Sequence, residues 1–283
     1  MKSMDIFRRE ILAPDNARKF LNEKEFSEFC LIPQEERTTF LQELISRPIA
    51  RFTVINELYF RSKWAELIRF IYGSRPITLV EVASGDADMI PQALARSNPS
   101  STYITANMNK QLNESLLVKT QGLDLNISLI DDDAMHLNRY ISRKTADLIA
   151  FQHGVNDVLQ AILCTAAGID TVYCDWMELL PKMIQLLQQE IEQGTLEQNT
   201  KPVFLKLIAI LMEELKDGGI LAISHYMFQL DLDWGYPADL FENLIPMIRK
   251  WFSELAGCEE IFYEQFNLQW WLFLRKTTLR EEL

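Results

Sequence analysis

The sequence predicts an α/β fold: a doubly wound, mostly parallel sheet with a final antiparallel strand, an N-terminal helical cap and a helical insertion. Three observations predict it. From Ile77 onward, short apolar runs alternate with segments of helical period, the pattern of strand–helix–strand units. Before Ile77 the chain shows helical period only. Near the C-terminus, two extended apolar segments lie close enough in sequence to form an antiparallel pair.

Residues 1–73 are the expected cap or lid, and 74–283 the α/β domain. Pro33 followed by Gln-Glu-Glu-Arg marks a helix start, because proline is tolerated in the first turn and acidic side chains favour the positive end of the helix dipole. Phe40, Leu41, Leu44 and Ile45 then recur at helical spacing. Pro48 is expected to begin another helix running to Tyr72, with Phe52, Ile55, Leu58, Tyr59, Leu67, Ile68 and Ile71 among its apolar residues. Gly73, Ser74 and Pro76 end it.

The first strand is expected at Ile77 to Val82, followed by a turn of small residues and a helix from Met89 to Ser97. In that turn Ala83, Ser84, Gly85 and Ala87 carry little side chain, so a ligand can approach the backbone closely. Glu81 falls near the carboxyl end of the strand, where open α/β sheets bind ligands. Asn98-Pro99-Ser100 is a turn, and Thr102 to Ala106 the second strand, followed by a helix to about Gln121. The third strand is Asn126 to Ile130, the fourth Asp147 to Phe151, with a short helix between. Residues 155–200 are helical but too long for a simple crossover, and read as the insertion. A helix from Pro202 to Leu215 is expected to be capped by Lys216-Asp217-Gly218-Gly219. Then come a fifth strand, Ile220 to Ser224, a loop from Asp231 to Pro237, and a helix from Asp239 to Leu255. Glu260 to Phe266 and Leu268 to Leu274 are the closing pair.

Composition excludes several classes. A net charge of −12 lacks the basic footprint that nucleic acid or an anionic membrane surface requires. A cationic ligand is compatible with it, although acidity of this size also serves solubility. Cys30, Cys164, Cys174 and Cys258 have no metal-binding spacing and are expected as reduced thiols. Asp131, Asp132 and Asp133 point in different directions as consecutive residues, so no metal site is expected. The first residues carry charges where a signal peptide needs an apolar run, and no stretch is apolar enough to span a bilayer. A cytoplasmic protein is the expectation.

The order of these motifs resembles the class I S-adenosylmethionine (SAM)-dependent methyltransferases, with their Rossmann-like fold, over residues 75–276 apart from most of the insertion. Glu81, Ala83, Gly85 and Ala87 match the family's acidic residue and small-residue turn, with glycine kept only at Gly85. Asn107 stands where the family has an acidic residue that holds the ribose hydroxyls. Asp133-Ala134 matches the acidic and small pair beside adenine, with Asp132 a neighbouring candidate. Ala-Asp-Leu-Ile-Ala-Phe-Gln-His looks like the fourth motif, after which residues face the methyl donor. The resemblance therefore implies SAM as cofactor, held by Glu81, Ala83, Ser84, Gly85, Asn107, Met108, Asp132, Asp133, Ala134, Gln152 and His153.

Methyl transfer is an in-line displacement on an activated donor, so alignment and exclusion of water matter most. A base is needed only when the nucleophile must lose a proton. His153 and His225 fall just after the fourth and fifth strands and are the catalytic candidates, each also readable as a hydrogen-bonded structural histidine. Asn156 and Asp157 read as helix-capping groups, and Asp147, at the far end of its strand, as structural. Tyr59, Trp176, Tyr226 and Trp234 are candidates to contact substrate, though core packing accounts for each as well. Arg61 could close over the donor's carboxylate but reads more simply as a surface residue. These readings point to a methyltransferase with a small-molecule acceptor, methylated on O or N in a lidded pocket. The helical cap offers a face for a homodimer. The alternatives are a non-catalytic binding protein of the same fold, or a nicotinamide-dependent oxidoreductase, for which Ala-Ser-Gly-Asp-Ala-Asp lacks the GxGxxG fingerprint.

Overall fold

The computed structural model describes residues 10–44, 48–50 and 53–277. Its first helices are α1 (Pro14–Ala17), α2 (Glu23–Leu31), α3 (Gln34–Glu43) and α4 (Val54–Tyr72). The helix expected from Pro48 begins at Val54 instead. Thr53 stops it with a capping box: Thr53 Oγ1 accepts from the Ile55 N–H, and Asn56 Oδ1 accepts from the Thr53 N–H. Ile45 and Phe52 lie outside the described residues. Ile49 is extended and bridges to Phe228, its N–H donating to the Met227 carbonyl at 2.9 Å and its carbonyl accepting from the Gln229 N–H at 2.8 Å.

The α/β domain runs β1 (Thr78–Val82), α5 (Met89–Ser97), β2 (Ser101–Ala106), α6 (Lys110–Thr120), β3 (Leu125–Ile130), a 3-10 helix (Ala134–Arg139) and β4 (Ala146–Gln152). It continues with α7 (Val155–Ala166), α8 (Trp176–Glu192), α9 (Leu196–Glu214), β5 (Leu215–Ser224), α10 (Gln229–Asp233), α11 (Ala238–Phe252), β6 (Cys258–Ile261) and β7 (Trp271–Lys276). The seven strands lie in the order β3-β2-β1-β4-β5-β7-β6. β1 to β5 are mutually parallel, and β7 is antiparallel to both β5 and β6. β4 is buried at every position, as a central strand covered on both faces must be. β3, at the edge, has alternating half-buried and exposed residues.

Several boundaries depart from expectation. Pro202 lies inside α9, not at its start. Lys216 to Gly219 belong to β5, because Leu215 already pairs with Ala146 before a register shift. Gly219 fits where no side chain can: a Cβ there would stand 2.9 Å from the Lys216 carbonyl oxygen and 3.1 Å from that of Asp147. β6 stops at Ile261, and Phe266 folds from the connection into the core against Trp271, ring centroids 4.8 Å apart. Asp147 is structural, accepting from the Thr78 N–H, Arg75 and Lys216 at 2.8–3.0 Å.

The cap is joined to the carboxyl edge of the sheet by buried polar contacts. Arg61, expected at the surface, is 2% exposed. Its guanidinium donates to both Glu25 carboxylate oxygens at 2.7 and 2.9 Å, to Asp88 Oδ1 at 2.9 Å and to the Phe20 carbonyl at 3.0 Å. Glu57 stands 3.3 Å away and is pushed up to about 7 by burial, with Arg61 opposing the shift. Both terminal nitrogens of the buried guanidinium are met in this way, while Nε is buried without a partner. On the same helix, Trp64 donates its indole N–H to Gln152 Oε1 and packs on Trp271.

Candidate active site

Strand order reverses direction between β1 and β4, and such a switch point opens a crevice at the carboxyl ends of the strands. Two residues that follow these strands have left-handed backbones: Ala83 (φ 55°) after β1 and His153 (φ 57°) after β4. Each turns the chain sharply away from its strand at a conformational cost of roughly 1–2 kcal/mol. Gly154 allows the two turns to touch, since a Cβ there would be 3.0 Å from the Ala83 carbonyl oxygen.

Above the switch point lies a cavity of about 770 Å³. One half is bounded by the turns after β1, β2 and β3, through Ala83, Ser84, Gly85, Asn107, Met108, Asp133 and Ala134. The other half is bounded by Gln152 and His153 after β4, Asp157 on α7, and Phe228, Leu230, Asp231 and Trp234 after β5. Trp176 and Met177 of α8 and Val203 and Leu207 of α9 complete it. The insertion thus contributes its roof, while no described residue of the cap lines it.

His153 Nε2 stands 3.5 Å from Asp231 Oδ2, and the Tyr226 backbone also favours the protonated ring. Burial pulls the imidazole pKa down, but the hydrogen bond and charge of Asp231, aided by the charge of Asp157, outweigh it and hold His153 above 6.5. Asp231 Oδ2 also accepts from the Phe228 N–H at 3.1 Å, which fixes the carboxylate. Burial pushes Asp157 up to about 6, against the pull of His153. These ionisable groups lie beside an apolar and aromatic part of the lining.

The strand order, with β7 returning antiparallel between β5 and β6, decides the architecture. The fold is Rossmann-like, a doubly wound sheet closed by an antiparallel strand. No protein-family model and no curated protein matches the chain. A solved SAM-dependent methyltransferase from Aquifex aeolicus is similar at 12% identity and a TM-score of 0.45, over 75% of this chain and 88% of that one. An rRNA methylase from Streptococcus thermophilus is similar at 15% identity and a TM-score of 0.42, over 83% and 99% respectively.

Within this fold, Glu81 does not line the cavity. Its buried carboxylate accepts from the Tyr103 hydroxyl at 2.6 Å, because alternation along β1 turns it to the β2 side chain on the same face. Asp132 is likewise turned away, to His136 Nδ1 at 2.9 Å and the Tyr140 hydroxyl at 2.8 Å, so only Asp133 of the triplet reaches the cavity. His225 is fully buried behind His153, sandwiched against Phe241, and does not reach the cavity. Tyr59 and Tyr226 are core residues, their hydroxyls 3.4 Å apart, with Tyr226 also accepting from the Trp271 indole at 2.9 Å. Asp157 lies in the first turn of α7 and lines the cavity; the N-cap there is Gly154, with no side-chain cap hydrogen bond. Among the described residues no group of histidine, cysteine and carboxylate side chains could hold a metal, and no helix is long and apolar enough to cross a membrane.

Proposed function

We propose that the protein is a SAM-dependent methyltransferase that methylates a small-molecule acceptor on oxygen or nitrogen. The observation that carries this is the continuity of one cavity, from the nucleoside-sized turns after β1 to β3 to the His153–Asp231 pair after β4 and β5. Its volume of about 770 Å³ suits a small-molecule site with room for two ligands side by side.

The residues present fit the nucleoside of the cofactor. A Cβ on Gly85 would meet only Leu112 Cδ1, at 3.9 Å, so the backbone there is open to the cavity. Asn107 Nδ2 donates to the Gly85 carbonyl at 3.0 Å, which leaves Oδ1 to accept from a ribose hydroxyl. Asp133 Oδ1 caps the 3-10 helix at the Met135 N–H, leaving its second oxygen for an adenine amino group, beside the apolar surface of Ala134 and Met135. SAM, when bound, supplies a methyl group already activated by its sulfonium sulfur. His153 Nε2 takes a proton from the acceptor, and Asp231 steadies the imidazolium. Helices α7, α8 and α9 exclude water.

Calorimetry with SAM and S-adenosylhomocysteine tests the reading, followed by mass spectrometry of a broad acceptor screen. Absence of binding removes it, and binding of NADH in place of SAM favours an oxidoreductase. Tight SAM binding with no methylated product favours a non-catalytic binding protein.

A further inference from the structure

We propose that the half of the cavity beside His153 is a binding site for a protonated amine carried on an apolar or aromatic body. This deepens the methyltransferase reading, on which the amine's role as acceptor rests. Charge carries the argument. Among the described residues lining the cavity there is no lysine and no arginine. Its ionisable side chains are four aspartates and His153. Asp86 is already paired with Lys119 at 2.6 Å, and Asp133 caps the 3-10 helix; both lie on the nucleoside side. That leaves Asp157 on α7 and Asp231 on α10 as the carboxylates lining the cavity with His153, Asp231 through the oxygen that the Phe228 N–H does not hold.

The wall of the same half supplies the rest. Trp176, Phe228 and Trp234 offer aromatic rings, whose faces attract cations and whose area accommodates an apolar body. A carboxylate or phosphate in this place would meet two aspartates, with only His153 as a compensating charge. A neutral hydroxyl could enter but would use neither aspartate's charge. For the ammonium to become a nucleophile it must lose one proton. Neutral His153 accepts it at Nε2: the amine N–H bond breaks, its electron pair stays on nitrogen, and the new imidazolium is held by Asp231 at 3.5 Å. His225, stacked behind with both ring nitrogens unpartnered, does not reach the amine.

The test is calorimetry on the full chain with three probes of one shape: 2-phenylethylammonium, 2-phenylethanol and 3-phenylpropanoate. Each is titrated with and without saturating S-adenosylhomocysteine. The expected result is ammonium binding at least ~10-fold tighter than the alcohol, with the propanoate weakest. In the double variant Asp157→Asn, Asp231→Asn the ammonium preference is expected to fall to about 2-fold or less. Asparagine at 231 keeps an oxygen for the Phe228 N–H; should the double variant fail to fold, Asp157→Asn alone is expected to cut the preference by about 3-fold. Equal binding of the three probes, preference for the anion, or a preference that survives these substitutions overturns the proposal. Binding of S-adenosylhomocysteine itself is measured on the same sample. If it binds and the amine preference is absent, the amine site alone is overturned. If the preference is present without it, the amine site stands and the methyltransferase reading falls.

Discussion

His153 and His225 lie face to face, ring centroids 4.4 Å apart and planes 8° from parallel. Their environments separate them. Asp231 and Asp157 hold His153 above 6.5 against the effect of burial, whereas burial, reinforced by the charge of His153, holds His225 well below it. The stack therefore carries at most one proton over a wide pH range, and it sits on the member that reaches the cavity.

The two histidines act on stability with opposite sign. His153 contributes stability that is present below its unfolded value of about 6.5 and lost as pH rises through its higher folded value. For His225 the unfolded chain takes up a proton that the folded chain refuses, so stability is lost as pH falls below about 6.5. Replacing His225 by Phe removes that loss and two unpartnered ring nitrogens. The gain in melting temperature over the parent is expected to be larger at about pH 5.5 than at about pH 8. A gain that is equal or larger at the higher pH contradicts this account.

Asp231→Asn is expected to lower the titration midpoint of His153, followed by imidazole proton NMR, since the charge that raises it is gone. If the chain methylates as proposed, the acid limb of its rate is expected to move to lower pH with it. A midpoint that does not move means the 3.5 Å contact has no electrostatic consequence.

Burial pushes Glu81 up to about 8, against the pull of the Tyr103 hydrogen bond. Its folded form then keeps a proton that the unfolded chain loses near 4.5, so stability falls as pH rises between 4.5 and about 8. Glu81→Gln retains a group for Tyr103 and carries no charge. Denaturant titration is expected to show the variant gaining on the parent from pH 5 to about 8; a constant difference across that range rules the explanation out.

Ala83 and Gly154 test the geometry of the switch point. Ala83→Gly relieves a left-handed backbone worth roughly 1–2 kcal/mol but loosens the unfolded chain by ~1 kcal/mol, so it should lie between neutral and about 1 kcal/mol stabilising. Ala95→Gly, inside α5, should cost about 1 kcal/mol. Gly154→Ala places a methyl against the Ala83 carbonyl and should cost ~2 kcal/mol. Equal losses for the two Ala→Gly variants would mean that Ala83 is not strained.

Arg61→Met removes the counter-charge of Glu25, Glu57 and Asp88 together. A loss of about 3 kcal/mol or more is expected, together with faster proteolysis within residues 10–44. A change below about 0.5 kcal/mol would show the cluster to be solvated in solution.

Much of the fold was legible because the central parallel strands carry short apolar runs, Leu79–Val80 in β1 and Leu148–Phe151 in β4, between turn signals. The early start of β5 was hidden by Gly218 and Gly219, which read locally as a helix cap until pairing with β4 is known. At the site, the small-residue turn and Asp133-Ala134 were readable because backbone turns place them. Side-chain direction was not. Glu81 depends on which β2 residue shares its face, and Tyr59 and Tyr226 pack where α4 meets β5 and β7. Asp231 escaped notice as one aspartate in a polar loop; the local signal was its three-residue spacing from Phe228, whose N–H it caps. Arg61 looked like a surface residue because its three carboxylates come from different parts of the chain.

The bridge at Ile49 has a consequence for traffic. Ile49 bonds to the residues on both sides of Phe228, so that border of the chamber is stitched to the N-terminal segment. Elsewhere on its lining, Met177, Leu230 and Trp234 are each more than 40% exposed. A ligand of this cavity would therefore meet exposed apolar side chains there, and a bulky group attached at Met177 is expected to slow its entry.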